Sequence, residues 1–140
     1  MKINNIISLI SQVREKANKF LVKEMHGKNI KGLVTSHGDI IFSLFEESKL
    51  TMKDLKGKTG KDKSTVTALV DKLEKLGFVK KNKSLDDARI TYITLTEKGL
   101  TLKPKLIEIS EKLFNSAYKG IADKEVELVN NVLIKIKKNL

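Results

Sequence analysis

The chain has 140 residues, 40% of them hydrophobic, and carries a net charge of +11. This length and composition suit one domain with an ordinary hydrophobic core, and no apolar run approaches the roughly 18 residues of a membrane span. Cysteine is absent, which excludes disulfides, thiolate metal sites and thiol-based redox sensing and leads us to expect a cytoplasmic protein.

The first predicted helix lies at the N-terminus, where apolar residues recur at three- and four-residue steps and form one stripe. We expect it to end near His26 and Gly27. We interpret it as an amphipathic helix rather than a signal peptide, because charged residues interrupt it and no small-residue cleavage site follows. The stripe consists of Ile3, Ile6, Ile7, Ile10, Val13, Ala17, Phe20 and Leu21.

Two capping-box patterns predict where the next two helices begin. In each, a serine or threonine is followed three residues later by an aspartate that can hydrogen-bond back to the backbone. The second helix should end near Glu47, and the third should be short because two glycines, Gly57 and Gly60, stop it. The capping pairs are Ser36 with Asp39 and Thr51 with Asp54.

A fourth helix is predicted between Asp62, which can cap its start, and Gly77, which lies just past its end. Its inner face is apolar, whereas its outer face is small and polar. Such a helix is slim enough to enter a major groove about 12 Å wide. The inner residues are Val66, Leu69, Val70 and Leu73, and the outer ones are Lys63, Ser64, Thr67, Ala68 and Asp71.

Two strand-like runs, FVKKNK and ITYITL, flank the polar loop from Ser84 to Arg89 and predict a β-hairpin with an exposed tip. This hairpin completes a basic segment, since residues 53–83 hold ten lysines against four acidic residues, a balance of +6. The summed field of such a cluster attracts polyanions, so nucleic acid is the first partner to consider. A set of solvated helix faces is the alternative that charge alone leaves open.

The last two predicted helices begin at Thr96 and Asp123, each acting as a cap. Pro104 lies inside the first of them and should bend it near its start. Both helices are strongly amphipathic, like the first helix of the chain. Three apolar stripes at the two ends of the chain predict a shared helical bundle and a subunit interface.

Residues 50–99 resemble the MarR family of bacterial transcriptional regulators. The most specific matching pieces are the helix STVTALVDKLEKLGFV, the hairpin motif Asp87-Ala88-Arg89 and the LTEKG that follows it. The resemblance implies a mainly α (α+β) fold and a single MarR-like domain over residues 1–140. It further implies a winged helix-turn-helix DNA-binding lobe at 36–95 and a helical dimerisation lobe from both chain ends, 1–27 and 96–140.

The resemblance also implies a function. Such a protein binds double-stranded DNA as a homodimer and reads a pseudo-palindromic operator, with the recognition helix in the major groove and the wing in the minor groove. It acts as a transcriptional regulator, here expected to be a repressor, and not as an enzyme. Many relatives release DNA when a small, often phenolic, effector binds between the lobes, and many carry arginine where this chain has Ala68.

We predict that DNA contacts come from the fourth helix and the hairpin. Hydroxyl groups and one lysine at the start of the helix should read bases, and the remaining lysines should hold phosphates. Arg14 and Arg89 are the only arginines among 28 basic residues, so the one at the hairpin tip suggests a need for guanidinium geometry. The predicted DNA-binding residues are Lys63, Ser64, Thr65, Thr67, Lys72, Lys81, Lys83, Asp87 and Arg89.

Catalytic and metal-dependent functions find little support in the sequence. Gly57-Lys58-Thr59 looks like the end of a phosphate-binding loop, but Met52 stands where that loop needs a glycine. Two histidines without cysteine make a poor zinc set, although they and two carboxylates fall near the expected joint between lobes. These four residues are Glu24, His26, His37 and Asp39. We predict no catalytic residue, metal or cofactor.

The sequence leaves open whether the protein binds a small ligand and which nucleic acid it binds. By analogy with the family, a ligand crevice is predicted at Phe20, His37 and Ile41. RNA binding is the alternative to DNA binding, because winged helices and lysine clusters also serve there. It is disfavoured because RNA modules stack bases on exposed aromatics, and residues 53–83 contain only Phe78, at an expected core position.

Overall fold

The computed structural model describes residues 5–140, so the predicted stripe residue Ile3 lies outside the described residues. Long helices occupy both ends, and the middle of the chain holds shorter helices and a small sheet. This is the mainly helical fold with a small sheet that the sequence predicted. The elements are α1 (Ile6–Gly27), α2 (Thr35–Glu46), β1 (Lys49–Thr51), α3 (Met52–Thr59), α4 (Lys63–Lys75), β2 (Val79–Lys83), β3 (Thr91–Leu95), α5 (Glu97–Leu100), α6 (Leu102–Ala117) and α7 (Asp123–Asn139).

The sheet has three antiparallel strands in the order β1-β3-β2. The predicted hairpin is confirmed as β2 and β3. Ile93 at the centre of β3 pairs with Leu50 on one side and Lys81 on the other. Strand β1 was not predicted, because its three residues are too few to show the alternation that marks a strand.

One hydrophobic core runs through the described residues. Its innermost side chains come from α2, α3, α4 and the sheet, and it continues into α1 and α6 through Met25, Leu106 and Ile109. The DNA-reading lobe and the terminal helices that the sequence predicted therefore share this core. The residues with no exposed surface are Ile40, Ile41, Leu55, Val66, Val70, Leu73 and Ile93.

The start of α2 corrects a predicted cap. The helix begins at Thr35, one residue before the predicted cap Ser36. The Val34 amide donates instead to Nδ1 of His37, at 2.9 Å, so a histidine ring fills the role expected of a carboxylate. The sequence pattern pointed elsewhere because histidine is not part of the usual capping signature.

Two other helix boundaries differ in detail. Gly57 lies inside α3 and does not stop it; the helix ends at Thr59 and is capped by Gly60, whose φ of 68° is left-handed. Asp123 is the first residue of α7 rather than its cap, and the Glu125 carboxylate accepts a hydrogen bond from the Ala122 amide at 3.2 Å. The predicted capping box at Thr51 and the predicted cap at Asp62 are confirmed.

The bent helix predicted from Thr96 onward is two helices, α5 and α6. Thr96 caps α5 as predicted, accepting a hydrogen bond from the Gly99 amide at 3.1 Å. The break falls at Thr101, and Pro104 lies in the first turn of α6. Proline is tolerated there because amides of a first turn have no partner inside the helix.

The LTEKG segment joins the sheet to the C-terminal end of α4. Lys98 donates to the Leu76 carbonyl at 2.7 Å, covering an unpaired carbonyl at the end of that helix. Gly99 packs against the backbone of Phe78 so closely that a β-carbon there would overlap the Phe78 carbonyl oxygen. The motif therefore fixes the point where α4 turns into the hairpin.

Helix α7 differs from the others because none of its 17 residues is buried. Large apolar side chains along it, including Leu128, Val129 and Val132, are exposed. None of the helices in residues 5–140 is long and apolar enough to cross a bilayer.

We predict that Gly99→Ala lowers the free energy of unfolding by about 2 kcal/mol, because the new methyl group must displace the Phe78 backbone. Gly57→Ala is the matched control. Gly57 is also helical and has open space around its α-carbon, so alanine there should stabilise by about 0.5–1 kcal/mol. Urea unfolding of both variants measures this, and equal effects would refute the close packing at Gly99.

Candidate nucleic-acid interface

Helix α4 is held by its apolar face. Val66, Val70 and Leu73 have no exposed surface and pack under α2 and α3, while Leu69 is half-buried beside them. The opposite face is exposed, and Ala68 lies on it. Burial of one side therefore fixes which side chains α4 offers to a partner.

The N-terminal end of α4 is ordered by Asp62. Its Oδ1 accepts hydrogen bonds from the Thr65 amide at 2.8 Å and from the Ser64 hydroxyl at 2.9 Å. The bond from the Thr65 amide lowers the pKa of Asp62 below its usual value. This carboxylate stays ionised and holds the first turn of the helix in place.

The hydroxyl groups on α4 have fixed hydrogen-bonding roles. Thr67 donates to the Lys63 carbonyl at 2.8 Å, and Ser64 donates to Asp62, so both oxygens keep their lone pairs for an incoming donor. Thr65 and Lys63 are exposed, whereas Thr67 lies half-buried on the flank of the helix. All four predicted base-reading residues thus lie within the first two turns.

Lys81 differs from the other predicted phosphate contacts because it is engaged within the protein. Its Nζ lies 2.6 Å from the Asp71 carboxylate and 3.7 Å from that of Glu74, and its side chain is 34% exposed. The Asp71 hydrogen bond raises the pKa of Lys81. The ammonium therefore joins β2 to α4 and neutralises carboxylates on the helix, and its contact with a DNA phosphate stays a prediction.

The other predicted lysines occupy different positions. Lys63 and Lys83 are exposed, and neither has an ion-pair partner within the described residues. The side chain of Lys72 lies beside Gly32, in the loop before α2, whereas Lys81 lies on β2 against Asp71. The lysines therefore have different neighbours and do not form one cluster of paired residues.

The hairpin loop is closed by its own hydrogen bonds. Asp87 accepts from the Arg89 amide at 3.0 Å and from the guanidinium at 3.1 Å through both carboxylate oxygens. The guanidinium lowers the pKa of Asp87. The Arg89 side chain is nevertheless 90% exposed, so Asp87 orients it without covering it. The structure brings these two predicted residues together as expected.

Two features of this surface were not predicted from the sequence. One is the Lys81–Asp71 pair, which joins residues from different elements and leaves no local pattern. The other is Leu85 at the hairpin tip, whose relative exposure is 104%. Its signal was visible in the sequence as an apolar residue inside a polar loop.

The histidines and carboxylates considered for a metal site are not gathered together. Glu24 forms an ion pair with Lys112 at 3.0 Å, His37 is buried at the start of α2, and His26 is exposed. Within residues 5–140, no group of three or more histidine, cysteine or carboxylate residues is placed to hold a metal ion. Asp39 lies 3.6 Å from Arg14.

The segment Gly57-Lys58-Thr59, which resembles the end of a phosphate-binding loop, has other contacts in the structure. Lys58 pairs with Glu46 and Glu47 at 3.5 and 3.4 Å, and the Thr59 hydroxyl donates to the Leu55 carbonyl at 2.6 Å. Both side chains serve the packing of α3.

A cavity of about 780 Å³ lies between the terminal helices and the middle of the chain. The predicted crevice residues Phe20, His37 and Ile41 do not line it: Ile41 lies in the core, His37 is buried at the start of α2, and Phe20 is half-buried on α1. The lining comes from α1, α2, α3 and α6 and combines aromatic with charged side chains. Among the lining residues are Arg14, Met25, Phe42, Lys58, Leu113 and Phe114.

Sequence comparison gives a consistent set of relatives. A family model described as "MarR family" matches residues 35–91. The regulator SarZ of Staphylococcus haemolyticus is 36% identical over 93 residues, which is 66% of this chain and 63% of that protein. SarZ of Staphylococcus aureus is 35% identical over 101 residues, 71% and 67% of the two chains. The match to SarZ of Staphylococcus saprophyticus covers 52% of that protein. These relatives are named transcriptional regulators, not enzymes.

Solved structures show the same fold. A mutant MarR from E. coli complexed with operator DNA has a TM-score of 0.82 at 20% identity, covering 97% of this chain and 99% of that one. A MarR protein from Peptoclostridium difficile has a TM-score of 0.85 at 22% identity, covering 99% and 92%.

We predict that part of the protein's acid sensitivity comes from His37. Burial and the nearby Lys72 ammonium lower its pKa below 6.5, and Nδ1 must be unprotonated to accept from Val34. Between the folded and unfolded pKa values of His37, the unfolded chain therefore binds a proton that the folded chain does not bind. Stability from this group is complete above pH about 6.5 and falls as the pH decreases towards the folded pKa.

Thermal unfolding between pH about 5 and 7 measures this effect. His37→Gln should flatten the pH dependence in that range. His26→Gln changes an exposed histidine and should leave the dependence as in the wild type. Equal slopes for His37→Gln and the wild type would show that burial of this ring does not control the response.

Proposed function

Because the chain belongs to the MarR family, we propose that it is a sequence-specific, double-stranded-DNA-binding transcriptional regulator that reads a pseudo-palindromic operator as a homodimer. Residues 36–95 form the DNA-binding lobe in this proposal. Residues 1–27 and 96–140 form the dimerisation lobe. Since the target is chromosomal DNA, we place its action in the cytoplasm, and repression follows where the operator overlaps a promoter.

One observation carries the proposal: α4 is locked by its buried side while its hydroxyl-bearing first turns stay exposed beside the hairpin. Such a helix fits a major groove. Ser64 and Thr67 offer lone pairs, which suit the amino groups of adenine and cytosine. Phe78 is buried, so residues 53–83 present no exposed aromatic for stacking RNA bases, and this favours duplex DNA.

The hairpin is the wing in this proposal and lies in the neighbouring minor groove. The guanidinium of Arg89, oriented by Asp87, suits a narrow groove where negative potential is enhanced. Lys63, Lys72 and Lys83 hold phosphates and set affinity rather than sequence choice.

Dimerisation is supported by α7. A helix with no buried residue and a row of exposed apolar side chains is stable only if another surface covers it. A second copy related by a two-fold axis supplies that surface and presents two α4 helices about 34 Å apart, one turn of DNA. A small-molecule effector is proposed for the cavity between α1, α2, α3 and α6, because it lies where the two lobes meet.

The test is selection of DNA by the pure protein from fragments of its own genome or from a random duplex pool. We expect an enriched motif with two-fold symmetry, bound by two chains in sedimentation experiments. If about 6 to 10 phosphates are neutralised, affinity should fall on the order of a thousandfold or more between about 50 and 200 mM salt. No enrichment with a flat salt response, or preferential capture of RNA, would refute the proposal.

The Lys81–Asp71 ion pair leads to a prediction about DNA affinity. Lys81→Ala should weaken DNA binding because it leaves the carboxylates of Asp71 and Glu74 facing phosphates without a counter-charge. Adding Asp71→Asn should then restore much of the affinity. In a Lys83→Ala background the same addition should change little, because Lys81 is still present to neutralise Asp71.

Affinity for the selected duplex at fixed salt completes this double-mutant cycle. An equal gain from Asp71→Asn in both backgrounds would show that Lys81 is an ordinary phosphate contact.

A further inference from the structure

Leu85 has no packing role in the chain. Its relative exposure is 104%. Within residues 35–95, which the structure describes throughout, no other large hydrophobic side chain is exposed. Most other exposed large hydrophobic side chains lie on α1, α6 and α7, where the proposed dimer covers them. Leu85 lies at the tip of the wing, far along the chain from that surface.

The loop holds Leu85 outward in a fixed position. The Ser84 amide donates to the Ile90 carbonyl at 2.9 Å, which closes the base of the loop. The Ser84 hydroxyl accepts from the amides of Asp86 and Asp87 at 3.2 and 3.3 Å. With the residues on both sides tied to one hydroxyl, the leucine does not fold back onto the sheet.

The charge at the tip is balanced. Lys83 and Arg89 stand against Asp86 and Asp87, and the last of these is already paired with Arg89. The four charges of the tip therefore sum to zero, so the tip as a whole adds no net positive charge to the basic surface. The fully exposed Leu85 adds an apolar side chain to this tip.

We propose that Leu85 is an apolar wedge that enters the DNA minor groove ahead of Arg89 and opens a base step there. The inference rests on the proposed function, since it requires the wing to lie in that groove. Leucine is one of the side chains that proteins insert between base steps, which kinks the duplex. Pyrimidine–purine steps unstack most easily, so the wedge selects such steps beneath the wing without hydrogen-bonding to a base.

The experiment uses the duplex that the wild-type protein enriches most strongly, end-labelled for measurement of the bend by fluorescence energy transfer. Leu85→Ser should lower the bend angle by about 20° or more and weaken binding about tenfold. Its melting temperature should match the wild type because the side chain has no contacts to lose. Leu85→Met keeps an apolar wedge and should bend the duplex normally.

Three results would overturn the inference. Wild-type bend and affinity in Leu85→Ser would leave the wing as a polar contact while the proposed function stands. An equal loss in Leu85→Met would show that apolar character is not what counts. Failure of the wild-type protein to enrich any duplex would remove the proposed function itself, and the wedge with it.

Discussion

The burial of one face of α4 is the interaction on which the rest of the structure depends. Val66, Val70 and Leu73 are completely removed from water, and each buried side chain of this kind contributes about 1.5–3 kcal/mol. A rotation of α4 by one residue would expose part of that surface and turn the hydroxyl-bearing face away from a partner. The same packing that stabilises the lobe therefore aims its exposed side chains. The close packing of Gly99 against the Phe78 backbone then sets where the hairpin leaves the helix.

Carboxylates beside α4 and the hairpin order the side chains and the helix end around them. A chain of net charge +11 still places carboxylates on its basic surface, and the structure gives each of three a local task. Asp62 caps α4, Asp71 ties down Lys81, and Asp87 orients Arg89. Each engaged carboxylate orders an element beside the proposed DNA surface, while its own charge is met by a nearby donor.

Local patterns in the sequence predicted much of this fold, whereas contacts between distant residues escaped them. Helical periodicity placed the long helices, and the box at Thr51 and the cap at Asp62 were correct because such caps involve residues three apart. The Lys81–Asp71 pair and the cavity lining depend on tertiary packing, which no short spacing encodes. The predicted cap of α2 at Ser36 was wrong, because the ring of His37 accepts the hydrogen bond that the carboxylate of Asp39 was expected to accept.

Dimethyl sulfate footprinting of the selected duplex tests the central claim most directly, since the reagent methylates N7 of guanine in the major groove and N3 of adenine in the minor groove. The account predicts two patches of guanine protection about 10 base pairs apart, where the two α4 helices enter. Adenine protection in the adjoining minor groove should flank each patch, where the wings lie. Protection confined to the minor groove, or a single unbroken patch without two-fold symmetry, would contradict it.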